Sequence, residues 1–187
     1  MARFSAFLDA NVLYSMTQTD LILEVAGIGV YRALWSEDVH REWMQKLAES
    51  GRDPQKIERR RKAIDAALPD ALVAGYEALI GSLILPDPDD RHVLAAAIVG
   101  GADVIVTRNV RDFPEDAVAQ YGIEVQHPDT FLIHQRCLNE QLFLQCVRRV
   151  RRRLKNPELT PDEYLERLRK AELVVLAEEL EKVKTLL

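Results

Sequence analysis

Four acidic side chains stand where the sequence predicts the carboxyl ends of strands or the helices that follow them. They are Asp9, Glu42, one of the adjacent pair Asp89 and Asp90, and Asp112. In an open parallel sheet, ligands bind beyond the carboxyl ends of the strands, so these acids are expected to meet in one region. Crowded carboxylates raise each other's pKa unless a cation neutralises them. A hard divalent cation with oxygen ligands, such as Mg²⁺, is the simplest solution.

Asp9 is the acid for which a purely structural role is hardest to find. It follows the apolar run "SAFL" (residues 5–8), which is typical of a buried strand, and a buried carboxylate without a partner is costly. The others have ordinary alternatives. Asp89 or Asp90 can cap a helix, Asp112 can cap a turn, and Glu42 can be an exposed helical residue. A site is favoured because the four signals occur together and in order.

The elements that must position these acids alternate between strands and helices. Strands are predicted at 5–8, 30–36, 83–85, 104–106 and 122–128. Helices are predicted at 14–27, from Ser36 to about 48, at 53–68, at about 90–99 and from a cap at Asp129, while 71–81 is ambiguous. The segment 82–109 reads as strand, helix and strand, which predicts a parallel pair with a right-handed crossover. An α/β fold follows, with only helices after about residue 136.

The bulk composition describes an ordinary globular chain. It has 187 residues, of which 48% are hydrophobic and 29% charged. No apolar run approaches the roughly 20 residues that a membrane span needs, and no signal-peptide pattern opens the chain. Cys137 and Cys146 lie in what reads as one helix, at a spacing that suits neither a disulfide framework nor a zinc site. These features predict a cytoplasmic protein.

The charge distribution permits an enzyme that acts on nucleic acid. The net charge of −5 argues against a nucleic-acid coat protein, but a metal site by itself concentrates acids. Two basic runs, "ERRRK" (58–62) and "RRVRRRLK" (148–155), could bind phosphates, or could equally be solvated helix faces. The arginines predicted for phosphate binding are Arg59, Arg60, Arg61, Arg148, Arg149, Arg151 and Arg152.

The ordered motifs resemble those of the PIN-domain family, in its longer VapC-type variety with a C-terminal helical extension. The motifs are "DANVL" (9–13), "PDPDDRHVLAAA" (86–97) and "VTRNVRDFP" (106–114), and the likeness spans about residues 4–135. It implies a three-layer α/β/α fold with a central parallel sheet, followed by C-terminal helices. It also implies a nuclease domain at 1–136 and a helical extension at 137–187.

The resemblance assigns roles to individual residues. It makes the four acids both catalytic residues and metal ligands: Asp9, Glu42, Asp90 and Asp112. Asn11 and Thr107 match positions that support the cluster in this family, and Asn109 belongs to the same turn.

Two of these assignments leave alternatives open. Glu42 lies in a segment without a distinctive motif, so Glu37 is a conceivable substitute. Asp89 is a second candidate beside Asp90, and the two cannot be ranked from the sequence. His92 is interpreted as a packing or surface residue of its helix rather than as a ligand.

The implied activity is that of a metal-dependent endoribonuclease, a hydrolase in which Mg²⁺ or Mn²⁺ activates the water that attacks RNA. The same resemblance implies a toxin of a type II toxin–antitoxin system, a small DNA-binding antitoxin as its partner, and a homodimer. The alternative is a catalytically silent PIN-like module that binds RNA or protein. An acid-cluster phosphotransferase is disfavoured, because Asn11 stands where that class usually has a second aspartate.

Overall fold

A five-stranded parallel sheet forms the centre of the fold. The structure is a computed structural model that describes residues 4–187. Within that range the strands are β1 (Ser5–Leu8), β2 (Arg32–Ser36), β3 (Leu72–Val73), β4 (Val104–Val106) and β5 (Glu124–Gln126). Their order in the sheet is β3-β2-β1-β4-β5, and every neighbouring pair is parallel. All five carboxyl ends therefore point to the same edge of the sheet.

Helices connect and follow the strands. They are α1 (Ala10–Tyr14), α2 (Met16–Gly27), α3 (Glu37–Glu49), α4 (Pro54–Ala67), α5 (Glu77–Ile80), α6 (Arg91–Gly100), α7 (Glu115–Val118), α8 (Pro128–Leu138), α9 (Glu140–Arg153), α10 (Pro161–Lys170) and α11 (Val174–Glu181). Within residues 4–187, none of them combines the length and the apolar character needed to cross a bilayer.

The sheet is covered on both faces, which gives the expected three-layer α/β/α fold. Every residue of β1 and β4 is buried, as strands between two layers require. Helix α6 packs against the four strands from β3 to β4. A Cβ at Gly100 would lie 2.9 Å from the Val73 side chain and 3.1 Å from that of Leu34, so only glycine permits this approach of α6 to the sheet.

The predicted strand at 83–85 is wrong, and the fifth strand is β3 instead. The side chains of Leu83 and Leu85 are buried while Ile84 is 83% exposed. Among residues 4–187, this segment pairs with no strand. The predicted parallel pair around α6 is therefore also wrong. Strand β4 pairs with β1 and β5.

Two predicted helices are interrupted by capping residues. The helix predicted at 14–27 begins two residues later, as α2, because the Ser15 Oγ accepts a hydrogen bond from the Gln18 N–H and caps it, while Tyr14 ends α1. The two cysteines lie in separate helices, because the Asn139 side chain caps α9 by accepting the Leu142 N–H at 3.0 Å. Short polar side chains compete with the helix for backbone hydrogen bonds and so end it.

The chain folds into two compact units. The first contains the residues up to Tyr14 together with Tyr31–His127, and thus the whole sheet. The second combines Ser15–Val30 with Pro128–Leu187, so α2 belongs with α8–α11. The helix α8 groups with the helices after it, although the sequence assigned residues up to 136 to the first domain. The boundary of the functional domain stays a prediction.

Helix α2 is an integral part of the second unit. Its Leu21, Ile22 and Val25 side chains are fully buried. Gln18 Nε2 donates to the Ala171 carbonyl at 2.6 Å, and Arg153 lies 2.5 Å from the Glu24 carboxylate. This unit is therefore built from two distant parts of the chain.

Asp129 has a different partner from the one expected. The sequence predicts that it caps its own helix, α8. Its carboxylate accepts the backbone N–H groups of Val175 and Leu176, at 2.8 and 2.9 Å, and so caps α11. The contact joins α8 to α11, since the two N–H groups belong to residues 46 and 47 positions after Asp129.

Candidate active site

Asp9 lies immediately beyond β1, at the carboxyl edge of the sheet. Its backbone N–H donates to the Val106 carbonyl at 3.1 Å, which ties the end of β1 to β4. Its side chain is buried and both carboxylate oxygens are engaged. Oδ1 accepts the Ala10 N–H at 2.6 Å, while Oδ2 accepts Thr107 Oγ1 at 2.7 Å and Asn11 Nδ2 at 2.5 Å.

Asn11 and Thr107 extend this contact into a network. Asn11 Nδ2 also donates to Thr107 Oγ1 at 2.9 Å, and Asn11 Oδ1 accepts the Arg108 N–H at 3.0 Å. Thr107 Oγ1 accepts the Asn109 N–H at 3.0 Å. The two residues predicted to support the cluster thus fix the Asp9 carboxylate and shape the loop after β4. Asn109 contributes through its backbone, and its side chain is exposed.

Burial raises the pKa of Asp9 above its ordinary value. The hydrogen bonds from Thr107 and Ala10 lower it, and the nearby Glu42 charge raises it again. The net effect is a raised pKa of Asp9, as expected for a carboxylate removed from water.

Asp90 also has a raised pKa. It ends a short 3-10 turn, Pro88–Asp90, directly before α6. Burial raises its pKa to about 7, and the charges of Asp9, Asp112, Asp87 and Glu42 contribute. All three of the other predicted acids are therefore within electrostatic range of Asp90. The ordered motifs thus lead to one electrostatically connected region around Asp90.

Glu42 reaches this region from α3 and is held by His92 of α6. His92 Nε2 lies 2.5 Å from Glu42 Oε1. Burial lowers the pKa of His92, but the hydrogen bond and charge of Glu42 outweigh it and raise the pKa. Glu37, the conceivable substitute, instead pairs with Arg61 at 2.7 Å. Glu42 is the glutamate that acts on both Asp9 and Asp90.

Two residues of the site were not singled out by the sequence. His92 was read as a packing residue, although its position in the first turn of α6, two places after Asp90, was a usable signal. Asp87 was overlooked in favour of Asp89. The Asp87 charge acts on Asp90, and its Oδ1 accepts the Asp89 N–H at 2.9 Å. Asp89 itself is exposed.

The acids fit a hard divalent cation in chemical type, but their side chains do not converge. Within residues 4–187, no group of three or more histidine, cysteine, aspartate or glutamate side chains is arranged to hold a metal ion. Glu42 is turned to His92, and Asp9 to Asn11 and Thr107. The donors are nevertheless carboxylate oxygens. Burial is the main cause of the raised pKa of Asp90, and the neighbouring carboxylate charges, which a cation would neutralise, add to it.

The first basic run lies on α4, where intramolecular contacts engage its side chains. The predicted phosphate-binding residues here are Arg59, Arg60 and Arg61. The Arg60 guanidinium donates to the Tyr14 carbonyl and lies 5.2 Å above the Trp43 ring. Arg61 pairs with Glu37, and Arg59 Nε donates to the Gln55 carbonyl. Their role in binding RNA stays a prediction.

The second basic run lies on α9 and is similarly engaged. Its predicted residues are Arg148, Arg149, Arg151 and Arg152. Arg148 and Arg151 donate to the carbonyls of Leu186 and Leu187, and Arg149 lies 3.5 Å from Glu24. Arg152 is exposed. RNA binding by this run also stays a prediction.

Comparison with known proteins identifies two family matches. A family model described as "PIN domain" matches residues 5–111, and one described as "VapC50 C-terminal domain" matches residues 128–182. The chain is 39% identical over 101 residues to the Mycobacterium tuberculosis protein named "Putative ribonuclease VapC50". That alignment covers 54% of this chain and 59% of the relative, so the likeness spans less than two thirds of the relative's length.

Proposed function

Because the chain belongs to the PIN-domain family, we propose that it is a metal-dependent endoribonuclease. The observation that supports this proposal is that the charges of Asp9, Asp112 and Glu42 all act on Asp90, which is itself partly buried. Such a cluster is costly for a fold and is explained by a cation that it binds. The name of the 39% identical relative supports a ribonuclease.

Mg²⁺ or Mn²⁺ would be held by the four predicted acids. When bound, the cation would lower the pKa of a water molecule that it coordinates and would neutralise charge on the RNA phosphate. Asp9 is the most rigid of the four, because Thr107, Asn11 and the Ala10 N–H fix both of its oxygens. Asp90 and Asp112 lie at the ends of short 3-10 turns, so their carboxylates are less constrained. Asp89, which is exposed, would contribute its charge from outside the group of four acids.

The biological role proposed is that of the toxin in a type II toxin–antitoxin system. A chain that cleaves cellular RNA requires a neutralising partner, and a small DNA-binding antitoxin is the partner proposed. The match of residues 128–182 to a domain named after a VapC protein supports this assignment. A homodimer is proposed as the assembly state.

The test is cleavage of a mixed RNA pool by the purified protein with Mg²⁺, with Mn²⁺ and with EDTA. Asp9→Asn removes a charge but keeps the side-chain shape, and should lower the rate by roughly 100-fold or more. Asp70→Asn is the matched control, since Asp70 is an exposed aspartate of the same unit outside the cluster. Cleavage that needs metal and is lost only in Asp9→Asn supports the proposal. Cleavage that survives EDTA contradicts it.

A specific observation favours one second candidate, a PIN-like module that binds RNA or protein without cutting. Within the described residues the acids do not converge on one point, and Glu42 is turned to His92. A folded protein that binds RNA but cleaves none of the pool with either metal would favour this candidate.

A further inference from the structure

The loop after β4 encloses a recess that shares one wall with the acidic cluster. The recess has a volume of about 370 Å³ and is lined by Arg108, Asn109, Val110, Arg111 and Asp112. This volume lies within the range of ligand-binding pockets. Asp112 belongs to both places, because it lines the recess and acts on the pKa of Asp90.

Hydrogen bonds hold the backbone of this loop. Its first residues are tied to the Asp9 network through the Arg108 N–H to Asn11 and the Asn109 N–H to Thr107. The Asp112 N–H donates to the Asn109 carbonyl at 3.0 Å, which closes a 3-10 turn, and the Phe113 side chain after it is buried. The same network thus fixes the Asp9 carboxylate and the shape of the recess.

The recess presents a positively charged arginine side chain beside carboxylates that would otherwise repel RNA. Five carboxylates interact at the neighbouring cluster: Asp9, Glu42, Asp87, Asp90 and Asp112. An RNA strand that approaches them needs positive charge close by. Arg111 is exposed, and it takes part in no hydrogen bond or ion pair with another residue of the described range 4–187. Most arginines of the two basic runs are engaged within the molecule, so Arg111 is the better placed contact.

The lining also provides contacts for the rest of a nucleotide. Val110 is 37% exposed, which offers an apolar surface to a base or ribose. The exposed Asn109 amide can donate and accept hydrogen bonds at a base edge. Positive charge for the phosphate and hydrogen bonds to base edges are both used in the recognition of single-stranded RNA.

We infer that this recess binds the nucleotide next to the scissile phosphate of single-stranded RNA, with Arg111 contacting its phosphate and Val110 its base or ribose. The inference rests on the proposed ribonuclease function and adds a substrate subsite to it. The Asp112 carboxylate separates the nucleotide bound in the recess from the reacting phosphate at the cluster.

The test is binding of a short fluorescein-labelled single-stranded RNA at several KCl concentrations, with Mg²⁺ and in the Asp9→Asn background so that the RNA stays intact. Arg111→Ala should weaken binding about 3- to 10-fold and reduce the slope of log K against log[KCl] by about 0.7, the value for one lost phosphate contact. Arg111→Lys should restore the slope. Arg32→Ala is the matched control, since Arg32 is exposed at the amino end of β2, on the opposite edge of the sheet.

Cleavage kinetics, measured in proteins that retain Asp9, distinguish a failure of the subsite from a failure of the ribonuclease function. In Arg111→Ala the loss should fall mainly on KM, because the contact positions the substrate. If the wild type cleaves RNA while Arg111→Ala binds and cleaves it equally well, the subsite is wrong and the ribonuclease stands. If the wild type neither binds nor cleaves RNA, both are overturned. An Arg111→Ala variant that binds RNA normally but loses an acidic protein partner also overturns the subsite.

Discussion

His92 Nε2 lies 2.5 Å from Glu42 Oε1, and this contact joins the first turn of α6 to the middle of α3. Glu42 is 41% exposed on its side chain, so the buried His92 is what restricts its position. The least secure of the predicted acids is thus held by a side chain of a neighbouring helix. His92 acts as a positioning residue for this carboxylate.

Replacing His92 should weaken divalent-cation binding. His92→Ala frees the Glu42 side chain, and loss of a residue that orients a metal ligand costs about 10-fold in metal affinity. His92→Gln, which can still donate a hydrogen bond, should retain more of the affinity. Titration calorimetry with Mn²⁺ measures both variants. Equal Mn²⁺ affinity in wild type and His92→Ala would show that this contact does not position a ligand.

Replacing Thr107 should destabilise the fold. Thr107→Val keeps the volume but removes the hydroxyl that donates to Asp9 and accepts from Asn11 and Asn109. Because these partners are buried or half-buried, the free energy of unfolding should fall by about 1–3 kcal/mol. Urea unfolding measures the change. Thr107→Ser, which keeps the hydroxyl, is the control, and a loss as large as that of Thr107→Val would refute the hydrogen-bond explanation.

Asp90 should make the metal-free protein less stable as the pH rises. The folded-state pKa is about 7, against the ordinary aspartate value of 3.8, so the folded state binds more protons between these values. Stability therefore falls from about pH 4 to about pH 7 and stays reduced above. Asp90→Asn should remove this loss, which is on the order of 1 kcal/mol once solvent screening at a half-exposed site is allowed for.

Thermal unfolding in EDTA at acidic and alkaline pH measures the effect of Asp90. The variant should melt higher than the wild type at alkaline pH and equally at acidic pH. Added Mg²⁺ should stabilise the wild type more than the variant. A difference between the two proteins that does not change with pH would contradict the assignment.

The two cysteines should differ in their reaction with iodoacetamide. Cys137 is exposed, whereas Cys146 is buried and its burial raises the pKa to about 11. At about pH 8 only roughly one part in 1,000 of the Cys146 thiol is ionised, and the thiolate is the reactive form. Mass spectrometry should find Cys137 modified quickly and Cys146 only after denaturant is added. Rapid labelling of both in the native protein would contradict the burial of Cys146.

Short local motifs allowed four of the five strands, and the candidate acids at the carboxyl edge of the sheet, to be predicted. Asp9 could be placed because an apolar run marks β1 and the parallel arrangement brings its end beside Thr107. Asp90 and Asp112 follow Pro- and Asn-containing turns whose sequence is distinctive. These inferences need only the direction of the chain and the edge of the sheet to which it leads.

Features that depend on packing between distant segments could not be predicted. The orientation of Glu42 depends on the approach of α3 and α6, which lie 50 residues apart at the Glu42–His92 contact. The Leu83–Leu85 run has the composition of a strand, but the edge of the sheet is taken by β3. Arg148 and Arg151 looked like a phosphate track, and only the fold shows which carbonyls they contact.

The discontinuous second unit imposes an order on synthesis. Helix α2 is complete when Gly27 leaves the ribosome, but the helices that bury its Leu21, Ile22 and Val25 begin only at Pro128. At translation rates of ~5–20 residues per second, the apolar face of α2 remains without the helices that bury it for about 5–20 s. A nascent chain in this interval is open to chaperones and to premature self-association. No single cut in the polypeptide or the gene separates the two units intact.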